Sequence, residues 1–139
     1  QYNSFFVSAN LAFNLIKNIR LTENCRWAIS QSKSGNYTNT IRNFSNEAAL
    51  SIAFIPDKLI LNTNLQYTHN SGFTDKKDYT FMNLSITFKT KKKIQFVLNV
   101  DNVFNTKTFI YRSNSNLSES YTLYQLRPRS VMLTSHFAL

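Results

Sequence analysis

The sequence predicts an all-β protein, an antiparallel up-and-down meander of about seven strands. Three observations predict it. Apolar and polar residues alternate with a period of two along most of the 139 residues, and that period sends successive side chains to opposite faces of a strand. Asn, Ser and Thr together make up about a third of the chain, and their side chains compete with a helical backbone for hydrogen bonds. The alternating stretches are separated by short turns and longer polar loops in turn.

The first strand occupies 3–16. Phe5, Val7, Ala9, Leu11, Phe13 and Leu15 share one phase, while Ser4, Phe6, Ser8, Asn10, Ala12 and Asn14 share the other. Lys17-Asn18 marks a tight turn. The chain returns over 19–31 with Ile19, Leu21, Cys25, Trp27 and Ile29 in phase and Arg20, Thr22, Asn24 and Arg26 opposite. Gln31 to Ser45, which contains Ser34-Gly35-Asn36, reads as a long loop. Ala48, Leu50, Ile52 and Phe54 then lead to a short turn at Pro56-Asp57-Lys58. Leu59, Leu61, Thr63, Leu65 and Tyr67 come back against Asn62, Asn64, Gln66 and Thr68. A second loop, Asn70 to Asp78, precedes Met82, Leu84, Ile86 and Phe88. Thr90-Lys91-Lys92-Lys93 turns the chain into Ile94, Phe96, Leu98 and Val100. The longest loop spans 102–121, and the last strand carries Val131, Leu133, Phe137 and Leu139.

No apolar run approaches the ~18 residues of a spanning helix, and the mean hydropathy is -0.29. Both facts are compatible with a transmembrane barrel, because its strands turn only alternate residues to lipid. The expected strand lengths also fit the ~9–11 residues of a tilted spanning strand. A water-soluble sandwich or barrel with the apolar face turned inward is the alternative. Two features favour the membrane. Soluble β proteins mark their turns with Gly and Pro, and this chain has 2 of each. Phe13, Phe54, Phe88, Phe96 and Phe137 all fall on the apolar phase near a short turn or the C-terminus, as an interface aromatic girdle would. Trp27 and Tyr67 sit near the opposite strand ends. Glu23 breaks the pattern, since it occupies the apolar phase in mid-strand. It is expected to need a bulge or a water-facing position.

In such a barrel the short turns are periplasmic and the long loops extracellular, which places the chain in the cell outer membrane. An odd strand count does not close alone. Residues 1–139 therefore read as a single domain, a barrel segment whose N-terminal strands are absent. No positively charged start with a following apolar stretch opens the chain.

Two stretches carry a family resemblance. Asn99-Val100-Asp101-Asn102-Val103-Phe104-Asn105-Thr106-Lys107 resembles the penultimate-strand motif of TonB-dependent outer-membrane receptors. Tyr124-Gln125-Leu126-Arg127-Pro128-Arg129-Ser130 and the alternating strand after it resemble their closing strand, in a Bacteroidota-like form. The resemblance implies the C-terminal barrel wall of a nutrient-uptake receptor, with about 22 strands around a plugged lumen. Its partners would be outer-membrane lipid, the remainder of the same barrel, the TonB energy-coupling complex and the barrel-assembly machinery. Its substrate would be a metal chelate, a glycan or a peptide. The family usually ends on an aromatic residue, so Phe137 and Leu139 form a C-terminal assembly signal that departs from the pattern.

Little in the chain suggests chemistry. His69 and His136 are the only histidines. A Ser-His-Asp set can be drawn from His69 with Asp75 or Asp78, yet no nucleophile motif accompanies it. Neither metal-ligand spacing nor a glycine-rich phosphate loop occurs, so no catalytic residue, metal or cofactor is expected. Cys25 alone excludes an internal disulfide framework and reads as a small buried hydrophobe.

The formal charge of +9 needs its own reading. Lys89, Lys91, Lys92 and Lys93 between Phe88 and Phe96 could face nucleic acid, but a barrel turn near anionic headgroups suits them as well. No nucleic acid is expected. Arg127 and Arg129 flank Pro128 and form a candidate vestibule for an anionic ligand. The competing functions are the tail of a smaller barrel, a porin or adhesin, and a soluble basic β-domain that binds nucleic acid or a polyanionic glycan. A need for detergent separates the barrels from the soluble domain.

Overall fold

The computed structural model describes residues 2–72, 77–90, 94–114 and 119–137. Nine strands run through them: β1 Tyr2–Ile16, β2 Ile19–Ser34, β3 Tyr37–Ile55, β4 Leu59–Asn70, β5 Asp78–Lys89, β6 Ile94–Asp101, β7 Thr108–Asn114, β8 Glu119–Gln125 and β9 Ser130–Phe137. Seven form one antiparallel sheet in the order β1-β2-β3-β4-β5-β6-β9, and β7 pairs with β8 in a separate hairpin. The meander of seven is therefore as expected, but two expected loops are largely strand.

The first of these is 31–45. Pairing between β2 and β3 continues through Gln31↔Thr40 and Lys33↔Thr38 to Ser34↔Tyr37. Gly35-Asn36 closes the hairpin, with Gly35 at φ 59°, as the first central residue of a type II′ turn requires. The alternation ends here because both faces are polar, while the backbone ladder needs no apolar side chain. The second is 102–121, which holds β7 and the start of β8.

Register decides which residues share a face, since directly opposed residues project to the same side. Ile16, Ile19, Ile52, Leu61, Ile86, Leu98 and Leu133 are joined pair by pair into one aliphatic row across all seven strands. Phe13, Leu21, Leu50, Thr63, Leu84, Val100 and Val131 form the next row. Nothing among the described residues covers this face. Phe5 is 59% exposed, and Val131 and Leu133 are each 67% exposed. The only buried apolar side chains among the described residues are Ile41 and Tyr79.

The opposite face is concave. A depression of ≈ 570 Å³ crosses five strands from Arg20 and Thr22 to Asn99 and Asp101. The β7–β8 hairpin folds back over one end of this side. Phe109 meets Tyr79 edge to face at 5.0 Å and Phe81 at 5.8 Å, and stacks with Tyr124 at 6.3 Å. Tyr79 and Phe81 stand opposite Thr68 and Gln66, so they belong to the polar face.

A second tie holds the β4–β5 connection to β3. Ser71 N donates to Arg42 O at 2.9 Å, and Arg42 N donates to Ser71 Oγ at 2.8 Å. A Cβ at Gly72 would lie 3.0 Å from Ile41 Cδ1 and 3.1 Å from Asn70 Oδ1. A larger residue there would have to push the Ile41 or Asn70 side chain aside.

Phe109 is the ring shared by the three aromatic contacts of the hairpin seen among the described residues. Phe109→Ala should cost the hairpin about 2 kcal/mol of local stability, below the range for a fully buried ring because Phe109 is half-exposed. Hydrogen exchange over the hairpin strands should speed up while exchange in β3 and β4 stays unchanged. Equal acceleration in both would mean the hairpin has no independent anchor.

Candidate functional site

The two stretches that carry the family resemblance meet in space. Asn102 and Asn105 adopt positive φ, 52° and 54°, a conformation that Asn tolerates better than most residues. The chain thereby curls tightly where it leaves β6, and both amide side chains turn to backbone partners. Asn102 Nδ2 donates to Thr106 O and to Arg127 O, each at 2.9 Å. Asn102 Oδ1 accepts from Thr106 N at 2.9 Å. Asn102 N donates to Asn83 Oδ1 on β5 at 2.9 Å, and Thr106 Oγ1 to Thr80 O at 3.1 Å. Asn105 Oδ1 accepts from Arg129 N at 3.1 Å. One polar knot therefore fastens the exit of β6, the neighbouring strand β5 and the connector into β9.

Arg127 and Arg129 are carried on that connector. Their side chains are exposed, and the knot holds their backbones on either side of Pro128. Among the described residues neither has an ion-pair partner, since the one pair present is His69–Asp78. The two arginines expected to face an anionic ligand thus share one connector, tied by its backbone to Asn102 and Asn105. Sequence reasoning singled out the arginines and missed the asparagines that hold them. An Asn at a strand exit was the available signal.

The concave face supplies the second element. Its depression is lined by Thr22, Ser51, Asn62, Asn64, Asn83, Ser85 and Asn99, with Arg20 and Asp101 as the only charged residues. A second hollow of ≈ 370 Å³ continues it with Ser8, Asn10, Asn24, Gln66 and Thr68. Glu47 is tied there by Asn64 Nδ2 at 2.8 Å and Gln66 Nε2 at 3.3 Å. Amides and hydroxyls both donate and accept. The surface therefore suits water and uncharged polar groups.

On the apolar face the aromatic residues form two slanting lines. Take the aliphatic row through Ile52 as reference. Phe13 lies one row to its loop side, and Phe88 and Phe96, paired with each other, lie one row to its turn side. Phe137, paired with Ile94, lies two rows to the turn side. The line climbs three rows in six strand steps, about one residue per strand, as a level ring on tilted strands would. Phe54 falls at the bulge between Ala53 and Ile55 and is 60% exposed. The other line runs through Phe5, then Trp27 and Phe44 in one row, then Tyr67 one row nearer the turns. It slants the same way over β1 to β4, two rows in three strand steps, and so somewhat more steeply.

Glu23 remains on the apolar face. The pairs Leu11↔Glu23 and Glu23↔Ala48 lie in unbroken register, so the expected bulge is absent. The carboxylate is instead bonded sideways, with Oε1 accepting from Asn46 Nδ2 at 2.8 Å. Cys25 differs from expectation too. It is half-buried rather than buried, because nothing covers its face, and its Sγ lies 2.9 Å from the same Asn46 Nδ2.

His69 does pair with Asp78. Its Nδ1 lies 2.7 Å from Asp78 Oδ1, and a carboxylate only accepts, so Nδ1 carries the proton. Tyr67 Oη donates to the same oxygen at 2.5 Å. No serine nucleophile is bonded to His69 among the described residues. His136, opposite Gln95 at the other end of the sheet, is exposed. Asp75, Lys91, Lys92, Lys93 and Leu139 lie outside the described residues. Among the described residues no three His, Cys, Asp or Glu side chains gather as a metal site. Compared with protein families, curated proteins and solved structures, the chain matches none.

Two measurements test these arrangements. Asn102→Ala removes three side-chain hydrogen bonds and should cost ~2–3 kcal/mol at about 1 kcal/mol each. Protease sensitivity of the 126–129 connector should rise with it. Asn102→Gly, which restores easy access to positive φ, should recover only a minor part. The second concerns Asp78, at the start of β5 and beyond the Tyr67 line. Its carboxyl is held below the ordinary carboxylate range by the hydrogen bond from Tyr67 and then that from His69. The clasp is thus complete above the ordinary carboxylate value and is lost as pH falls through the depressed one. Tyr67→Phe should move the Asp78 titration midpoint up, as read from its carboxyl carbon shift. No movement would assign the depression elsewhere.

Proposed function

We propose that this chain is the C-terminal wall of a TonB-dependent outer-membrane receptor for nutrient uptake, with its aliphatic face against lipid and its amide-rich face against the lumen. The observation that carries this reading is the pair of aromatic lines that slant the same way, one from β1 to β9 and the other over β1 to β4. A soluble core also collects aromatics, but it has no need to slant them the same way at both ends of an aliphatic band. On β1 the lines are eight residues apart, Phe5 to Phe13, about 26 Å along the strand at ~3.3 Å per residue. Tilting by ~40° leaves a band about 20 Å high, near the height of a lipid-facing belt.

The sheet edges support the same reading. β1 and β9 each pair on one side only, yet neither carries the Lys or Pro that guards a free edge in water. Both are built as interior strands. In the barrel they would pair with the remaining wall, the aromatic lines would meet the two interfaces, and the 102–129 knot would stand at the outer rim. Arg127 and Arg129 would present positive charge to an incoming ligand. The likeness of the 99–107 and 124–130 stretches to receptor motifs favours this family over a porin or adhesin.

The test compares Leu84→Arg, in the middle of the aliphatic band, with Ser85→Arg on the concave face, in the native polypeptide. A cation at mid-depth on the lipid face costs ~2–4 kcal/mol. Leu84→Arg should therefore deplete the folded, heat-modifiable form from the detergent-requiring membrane fraction, while Ser85→Arg should leave it in place. The polypeptide should have a mass several times 16.2 kDa. Equal tolerance of both substitutions, with extraction by salt alone, would overturn the membrane reading in favour of a soluble basic β-domain.

A further inference from the structure

We propose that Glu23, Cys25 and Asn46 form a self-complementary contact between two copies of this chain, side by side in the membrane. The inference rests on the barrel reading above and explains the one ionisable group in its aliphatic band.

Glu23 lies about midway between the two aromatic lines on its strand, two rows from Trp27 along β2 and opposite Leu11 and Ala48. A polar group at that depth that faced only lipid tails would have no partner for its free hydrogen-bonding capacity. Glu23 uses one oxygen. Oε1 takes Asn46 Nδ2 at 2.8 Å and lies 3.7 Å from Cys25 Sγ, and Oε2 has no partner among the described residues. Asn46 has the reciprocal shortfall. One Nδ2 hydrogen serves Glu23, and the other is directed at Cys25 Sγ, 2.9 Å away. Sulfur is a weak acceptor.

Each copy therefore offers one strong acceptor unfilled and one donor poorly used, side by side on neighbouring strands. A two-fold axis through the patch matches them. Asn46 of each copy turns its second N–H from its own sulfur to the free Glu23 oxygen of the other. That exchange needs no third component, as an isologous interface requires. The surroundings permit close approach, because Ala9 faces Cys25 and Ala48 faces Glu23. Small residues around a polar pair let two membrane surfaces meet. The axis passes near Cys25, so the two thiols come close together.

Cys25 is then the reporter. In native outer membranes, a mild oxidant or a short bis-maleimide should yield a dimer linked Cys25 to Cys25, identified by peptide mass. Glu23→Leu should lower the linked fraction about tenfold or more at constant protein-to-lipid ratio. That substitution places an aliphatic residue against lipid, so the barrel itself should still fold and shift on heating. Glu23→Gln keeps an acceptor and adds a donor for Asn46 Oδ1, and should stay within about threefold of the parent. A folded barrel with no Cys25 link, or with a link indifferent to Glu23→Leu, overturns the contact. Linkage of Cys25 to a different protein overturns the second copy as its occupant. Loss of membrane partition in the parent chain overturns the barrel reading and this inference together.

Discussion

The rest of the structure depends on a register that holds across six strand pairs. Directly opposed residues share a face, so a slip by one residue at any pair would invert everything beyond it. The aliphatic row from Ile16 to Leu133 is the visible consequence. Irregularities occur at Asn14/Ile16 and Ala53/Ile55, beside the two short turns. Bulges there bend the strand ends without disturbing the pairs behind them. The concave polar face and the apolar face are therefore one fact seen from two sides.

The register alone does not bring β9 to β6. Between Asp101 and Ser130 the chain leaves the sheet, makes the β7–β8 hairpin, and must return to the neighbouring position. Loop closure over that distance opposes folding. The Asn102 knot offsets it by tying both ends of the excursion to a single side chain, while Phe109 fixes the excursion itself to Tyr79 and Phe81. The candidate ligand-facing arginines and the joint that aligns the last strand are thus the same structure. A substitution in the knot acts on both.

Most of the sheet was legible in the sequence because two faces of different polarity write themselves as alternation. Phe5 to Leu15, Leu59 to Leu65 and Met82 to Phe88 needed nothing else. Alternation is silent where neither face is apolar, which is why Lys33 to Thr40 read as loop although its backbone is fully paired. It was silent for a different reason at Thr108 to Asn114, where Phe109 ties the hairpin to rings on β5. The arginine pair was visible as charge. The knot beneath it was signalled only by an Asn at a strand exit, because an Asn that bonds backbone 25 residues away otherwise looks in sequence like any other polar residue in an Asn-rich chain. Glu23 was visible as an anomaly, and its resolution required the neighbouring strand, since Asn46 is 23 residues on.

Burial bears directly on where this sheet finds its stability. A sheet in water draws its stability from the apolar area it hides between two layers. Here Ile41 and Tyr79 are the only buried apolar residues among those described, while Phe5, Val131 and Leu133 stand more than half exposed. What holds the strands is the ladder itself and the ties at its rim. In water each ladder hydrogen bond replaces one to solvent, and the net gain is small. In hydrocarbon the unpaired alternative is costly, so the same ladder becomes the main force holding the strands together. The apolar face then changes from a liability into the surface that meets the solvent. In the proposed barrel the polar face would stay hydrated, and pairing of β1 and β9 with further strands would satisfy the two edges that water would otherwise have to cap.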